Sequence, residues 1–138
     1  MILADTGFFL ALANTNDRHH ARAGAALAKL REPLMTTWPV MTETCHMLAS
    51  RLGIGAELAF VRSATRGAFD IFGLDKAHLP RGEVLFEKYR SLPMDLADAS
   101  LVILAEEAGT GTILSTDTRD FGAYRWKQRK PFKNLLLS

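Results

Sequence analysis

The sequence predicts an α/β protein of three layers, in which a central parallel sheet is covered by helices on both faces. Short apolar runs alternate with helical stretches along the whole chain, as expected when crossover helices join parallel strands. The strand candidates lack in/out alternation, which is typical of strands buried on both faces. No repeat or linker interrupts the 138 residues. We therefore expect a single domain over residues 1–138.

The elements of the first quarter follow from apolar runs and helix-boundary signals. Residues 2–4 (ILA) are a buried strand candidate, and a helix begins directly after it at 7–13. Asp17 is a candidate N-cap for an Ala-rich helix over 18–31. Pro33 ends that helix, because proline cannot continue a helical hydrogen-bond ladder.

The next elements are a second strand and two helices. Residues 34–38 (LMTTW) read as the strand, and Pro39 suits the first position of the helix after it. One face of this helix carries apolar residues at helical spacing, namely Met41, Cys45, Leu48 and Leu52. A further helix is predicted over 56–67, after Gly53 and Gly55.

The second half supplies the remaining strands and two more helices. The strand candidates are 69–73 (FDIFG), 112–115 (TILS) and an edge strand within 132–137. One helix is expected over about 81–91, ending before Pro93. A strongly apolar helix follows over 96–108, and Gly109 closes it.

Composition restricts the class and the compartment of the protein. The chain is 48% hydrophobic and 23% charged, which is the balance of a globular protein and not of a disordered one. No apolar run approaches the ~18 residues of a membrane-spanning helix, and the N-terminus lacks the pattern of a signal peptide. The single Cys45 excludes an internal disulfide. We therefore expect a cytoplasmic protein without membrane contact.

Four carboxylates from separate parts of the chain are predicted to meet at one edge of the sheet. Asp5 follows the first strand and Asp117 follows the strand at 112–115. Glu43 lies in the first turns of the helix that begins at Pro39, and Asp98 lies in the first turn of the helix after Pro93. Strand ends and the starts of the following helices share the carboxyl edge of a parallel sheet, where ligand sites form.

Each acid taken alone also has a purely structural interpretation. Asp95 and Asp98 resemble a helix-capping pair, and Asp117 and Asp120 can bond their own loop backbone. Asp5 is harder to explain, because no cation neighbours it in sequence. Four like charges in one crevice repel unless they are neutralised, and carboxylate oxygens suit Mg²⁺, with Mn²⁺ as a substitute.

Other site chemistries have little support in the sequence. The four histidines are scattered, and no Cys/His spacing indicates zinc. The chain has neither a phosphate-binding G-x-x-x-x-G-K-[ST] loop nor a G-x-S-x-G nucleophile motif. A Mg²⁺-dependent phosphatase is an alternative, but LADTGFF lacks the second aspartate of a D-x-D-x-T strand end.

Four motifs in register resemble the PIN-domain ribonucleases, and most closely the VapC-type toxins of bacterial toxin–antitoxin pairs. These motifs are LADT at 3–6, TE at 42–43, DLADASLVILAEEAG at 95–109 and ILSTDTRDF at 113–121. The resemblance implies a PIN-like fold whose parallel sheet has the order 3-2-1-4-5. It also implies a homodimer and an antitoxin whose C-terminal segment occupies the active-site groove.

The resemblance assigns the family's acidic quartet to Asp5, Glu43, Asp98 and Asp117. Under this assignment Asp5 and Asp98 bind Mg²⁺ directly, and the other two complete the site for hydrolysis of RNA by water. Thr6 matches the hydroxyl residue that often follows the first aspartate in this family. Asp95 and Asp120 are additional acids near the quartet and are candidates for supporting its four members. A non-catalytic PIN-like module that binds RNA or protein remains an alternative.

The C-terminal segment combines cations with aromatic residues, as RNA-binding surfaces do. Its sequence is YRWKQRKPFKN at 124–134. Arg125, Lys127 and Arg129 are therefore candidates for holding RNA, since cations meet phosphates and aromatic rings stack on bases. An equally simple interpretation is a solvated segment whose aromatic residues pack on the core.

Overall fold

A computed structural model describes residues 1–92 and 94–137, and its elements alternate as the sequence predicts. The strands are β1 (Ile2–Ala4), β2 (Leu34–Thr37), β3 (Asp70–Phe72), β4 (Thr112–Leu114), β5 (Arg125–Trp126), β6 (Lys130–Pro131) and β7 (Lys133–Asn134). The helices are α1 (Thr6–Ala13), α2 (His20–Lys29), α3 (Trp38–Leu52), α4 (Ile54–Thr65), α5 (Leu79–Lys88), α6 (Leu96–Ala108) and α7 (Thr118–Ala123), with a 3₁₀ turn at Lys76–His78.

Five strands form one parallel sheet in the order β3-β2-β1-β4-β7. The predicted order 3-2-1-4-5 is confirmed, because β7 is the fifth strand of this sheet along the chain. Strand β1 is central, and its Leu3 pairs with Met35 of β2 and with Ile113 of β4. From β1 to β3, each new strand is added on the same side of β1. The next strand, β4, pairs with the other side of β1. The strand order therefore reverses between β1 and β4.

Helices cover both faces of this sheet. The chain moves in one direction across the sheet from β1 to β3, so right-handed crossovers place α1–α4 on one face. It then crosses back to β4, which places α5 and α6 on the other face. Helix α6 is the most buried helix, with Val102 and Ala105 fully enclosed. The central strands are equally enclosed, since Leu3, Ile113 and Leu114 are all 0% exposed.

Several predicted boundaries differ from the structure. Helix α2 begins at His20 with His19 at its N-cap, and Asp17 instead accepts a hydrogen bond from the His19 amide at 2.8 Å. The apolar face of α3 is not buried to its end, since Leu52, the last residue of this helix, is exposed. Helix α5 ends at Lys88, and the predicted stop at Pro93 falls on a residue outside the described ones.

The C-terminal segment adds a small helix and a hairpin that the sequence did not predict. Strands β5 and β6 pair antiparallel through a turn in which Lys127 and Gln128 have φ of 48° and 69°. The Trp126 ring lies against Gly111, at the amino end of β4, and leaves no room for a Cβ there. The Lys127 amide donates to Glu106 near the end of α6 at 2.6 Å. The hairpin therefore lies at the amino edge of the sheet.

Across the described residues, the structure contains no helix of the length and apolarity needed to cross a bilayer.

Candidate active site

A cleft of about 380 Å³ opens at the carboxyl edge of the sheet, at the point where the strand order reverses. Six carboxylates line it, and together we call them the acidic cleft: Asp5, Glu43, Asp95, Asp98, Asp117 and Asp120. The structure thus brings all four acids of the predicted quartet to one place, together with both additional acids. Their convergence follows from the topology, because parallel strands deliver their ends to the same edge.

Asp5 forms the floor of the acidic cleft and is only 7% exposed. It is the N-cap of α1, where its Oδ1 accepts a hydrogen bond from the Phe8 amide at 3.0 Å. Its Oδ2 accepts a hydrogen bond from the Ser115 hydroxyl. Burial raises the pKa of Asp5 to about 6, although both hydrogen bonds act in the opposite direction. The charges of Asp117 and Glu43 add smaller upward contributions to this pKa.

Asp98 and Asp95 occupy the start of α6. Asp95 is the N-cap, and its Oδ1 accepts from the Asp98 amide at 2.8 Å, as the capping interpretation predicted. Asp98 is half-buried, and its Oδ2 accepts a hydrogen bond from the Tyr124 hydroxyl at 3.0 Å. Burial, followed by the charge of Asp95, raises the pKa of Asp98 to about 7. The charges of Asp117 and Asp120 act in the same direction.

Asp117 and Asp120 occupy the start of α7. Asp117 is the N-cap, and its Oδ1 accepts from the Asp120 amide at 2.9 Å. Burial raises the pKa of Asp117, while the hydrogen bond from that amide lowers it. Asp120 in turn accepts from Nε of Arg119 at 3.2 Å. Both acids therefore have structural partners and also face the cleft.

Glu43 and Thr6 complete the predicted set. Glu43 lies in the second turn of α3 and is half-buried. Thr6 follows Asp5 directly, and its buried Oγ1 has no hydrogen-bond partner within the described structure. A buried hydroxyl normally has a partner, and this unpaired oxygen belongs to a residue that lines the cleft.

The donor set fits a hard divalent cation in its chemistry. All candidate donors are carboxylate or hydroxyl oxygens, which Mg²⁺ and Mn²⁺ prefer over nitrogen or sulfur. The pKa values of Asp5 and Asp98 are raised chiefly because burial disfavours the charged carboxylates, with smaller contributions from neighbouring acids. Within the described chain, however, no three His, Cys, Asp or Glu side chains are close enough together to hold a metal ion in their present positions.

The predicted RNA-binding cations lie outside the cleft. Lys127 and Arg129 are exposed on the hairpin at the amino edge. Nη1 of Arg125 donates to three carbonyl oxygens at the end of α7, those of Gly122, Ala123 and Tyr124. Among the described residues, the one cation that lines the cleft is Arg119, whose side chain is 78% exposed.

Sequence reasoning missed three residues that contact or face the acids. Ser115 donates to Asp5, Tyr124 donates to Asp98, and Arg119 lines the cleft. The position of Ser115 directly after a strand was a usable signal, since strand ends carry site residues. Tyr124 is 26 positions from Asp98, and only the folded chain brings them together.

Comparisons with known proteins agree with this architecture. A model of the PIN domain matches residues 2–127. The chain is 30% identical over 124 residues to Ribonuclease VapC26 of Mycobacterium tuberculosis (strain ATCC 25618 / H37Rv), covering 90% of this chain and 92% of that protein.

A solved structure shows the same fold. The crystal structure of VapC20 from Mycobacterium tuberculosis, described as a sarcin-ricin loop cleaving toxin, superposes with a TM-score of 0.84 at 21% identity. The match covers 95% of this chain and all of that one. The chain therefore belongs to the PIN-domain family, among its VapC-type members.

Proposed function

We propose that this chain is a metal-dependent endoribonuclease and the toxin of a toxin–antitoxin pair. VapC26 is described as a ribonuclease, and VapC20 as a sarcin-ricin loop cleaving toxin. One observation carries the catalytic part of the proposal. The buried Asp5 shares a cleft with five other carboxylates, and no ion pair formed by the described residues compensates it.

We assign direct metal ligation to Asp5 and Asp98, with Glu43 and Asp117 completing the site. A bound Mg²⁺ ion would supply the positive charge that offsets charge developing on the phosphate and would make water a stronger nucleophile. The hydrogen bonds of the ligating acids hold them in place. Each of Asp5 and Asp98 has its Oδ2 bound by a hydroxyl. The products expected from attack by water are a 5′-phosphate and a 3′-hydroxyl.

Substrate binding requires cations, because six carboxylates repel the RNA backbone. Arg119 is in position to meet a phosphate at the cleft. We keep the exposed Lys127 and Arg129 as candidates for holding RNA that extends beyond the cleft. The Arg119→Ala variant should raise KM for RNA and leave kcat little changed. Loss of kcat at an unchanged KM would exclude this role for Arg119.

The negative charge of the acidic cleft supports the proposal that the C-terminal segment of an antitoxin occupies this groove. The pKa of Asp98 is raised by burial and then by the charges of neighbouring acids, and a basic side chain inserted among these acids would relieve their repulsion. The homodimer remains a proposal from the family resemblance. Light scattering of the purified chain alone tests the homodimer. The same measurement with the product of a small neighbouring reading frame tests the complex with the antitoxin.

The decisive experiment for activity compares the wild type with Asp5→Asn on structured RNA, with Mg²⁺ and with excess EDTA. Cleavage that requires metal and disappears in the variant supports the proposal. Mapping of the RNA ends then tests the chemistry, since a 2′,3′-cyclic phosphate would exclude attack by water.

A second candidate function is a PIN-like module that binds RNA or protein without cleaving it. It is favoured by the finding that no three metal-binding side chains of the described residues converge closely enough to hold an ion. RNA that stays intact with Mg²⁺ and with Mn²⁺, while still binding the protein, would establish this alternative.

A further inference from the structure

The hydroxyl of Tyr124 is an unusual feature beside the acidic cleft. The Tyr124 side chain is 0% exposed, so it cannot contact RNA. Its hydroxyl nevertheless contacts an acid that lines the cleft, since it donates to Oδ2 of Asp98 at 3.0 Å. A tyrosine hydroxyl is protonated at neutral pH, so it can donate to this carboxylate.

The surrounding rings hold Tyr124 in one position. The Tyr89 ring contacts it edge-on with centroids 5.0 Å apart, and the Phe121 ring does so at 5.1 Å. The Tyr124 backbone amide donates to the Asp120 carbonyl at the end of α7 at 2.8 Å. A donor that is fixed in this way orients its acceptor, because the Asp98 carboxylate must turn Oδ2 toward it.

We propose that Tyr124 is a positioning residue for Asp98, which fixes one carboxylate oxygen and leaves Oδ1 directed to a metal ion in the cleft. Partners of this kind orient metal ligands, and their loss typically lowers metal affinity about 10- to 100-fold. This inference rests on the proposed metal-dependent function. It assigns a role at the proposed metal site to Tyr124, which does not belong to the acidic quartet.

A matched pair of variants separates positioning from packing. Tyr124→Phe removes only the hydroxyl that binds Asp98. Tyr89→Phe removes a hydroxyl from the same aromatic cluster, but that hydroxyl accepts from the Arg125 amide at 2.8 Å. Binding of Mn²⁺ is measured directly by electron paramagnetic resonance, which requires no cleavage of RNA, and melting temperatures report folding.

We expect Tyr124→Phe to bind Mn²⁺ about 10- to 100-fold more weakly than the wild type, and Tyr89→Phe to bind it normally. RNA cleavage by Tyr124→Phe should recover at high metal concentration with an unchanged KM for RNA. Equal Mn²⁺ affinity in Tyr124→Phe and wild type, or an equal loss in both variants, would overturn the inference. A wild type that binds no Mn²⁺ would instead overturn the proposed metal site, and this inference with it.

A spectroscopic measurement covers the case in which Tyr124→Phe does not fold. Incorporation of 3-fluorotyrosine in place of Tyr124 keeps both the ring and the hydroxyl. Its ¹⁹F resonance should shift as Mg²⁺ is added, whereas the same label in place of Tyr89 should not. A label at Tyr124 that is insensitive to Mg²⁺, in a protein that binds Mn²⁺, would exclude the positioning role.

Discussion

Replacement of Asp5 by Asn should abolish RNA cleavage and yet stabilise the metal-free protein at neutral pH. Asn can replace both hydrogen bonds of the native side chain, although the bond to Ser115 reverses its direction. Its Oδ1 can accept from the Phe8 amide, as Asp5 does at 3.0 Å, and its amide can donate to Ser115 Oγ. The substitution therefore removes the buried charge and little else.

The magnitude follows from the pKa of Asp5. Burial raises this pKa from 3.8 to about 6, so the folded chain holds the proton more tightly than the unfolded chain. Below pH 3.8 the group is protonated in both states, and the charge costs no stability. As the pH rises from 3.8 toward 6, the carboxyl group ionises in the unfolded chain but stays protonated in the folded chain. The free energy of unfolding therefore falls by about 3 kcal/mol over this range. The Asn variant avoids this loss, which corresponds to a melting temperature about 10 °C higher at pH 7.

Urea unfolding in EDTA at several pH values measures this difference. The stability gap between Asp5→Asn and the wild type should widen from acidic pH up to about 6 and then stay constant. Added Mg²⁺ should narrow it by stabilising the wild type. Asp70→Asn, at an exposed carboxylate on β3, is the control and should show no such gap. A gap of equal size at pH 4 and pH 7, or a variant less stable than the wild type at pH 7, would refute this reasoning.

Three further substitutions test the packing that positions the cleft. Gly111→Ala should lower the free energy of unfolding by about 1–3 kcal/mol in urea melts, because its Cβ would lie 2.0 Å from Nε1 of the rigid Trp126 ring. RNA cleavage should persist in it, since this contact is at the opposite edge of the sheet. Leu104→Ala should cost about 2–5 kcal/mol by leaving a cavity on the buried face of α6, where Leu104 is 1% exposed. Gly24→Ala should stabilise by about 0.5–1 kcal/mol, since it lies in α2 with open space around its Cβ; a loss of stability there would contradict the assignment of α2 as an unstrained helix.

The sheet and the acidic cleft could be predicted because they depend on repeated local signals. Alternating apolar runs and helices require a parallel sheet, and strand ends at a shared edge brought Asp5 and Asp117 together. Helix α7 and the β5–β6 hairpin could not be predicted in this way. Helix α7 has only six residues, which is too short for a periodic pattern. The hairpin turn uses Lys127 and Gln128 at positive φ in place of the usual Asn-Gly.

The capping and metal-binding interpretations of the acids, which the sequence left as alternatives, prove to be compatible. Asp5, Asp95 and Asp117 each cap a helix through Oδ1. A cap uses one carboxylate oxygen and fixes the plane of the group, so the second oxygen has a defined direction. Helices that start at the carboxyl edge of a parallel sheet thus supply oriented carboxylates at the place where the topology opens a cleft. The capping roles of these acids are therefore compatible with the proposed cation site and are no evidence against it.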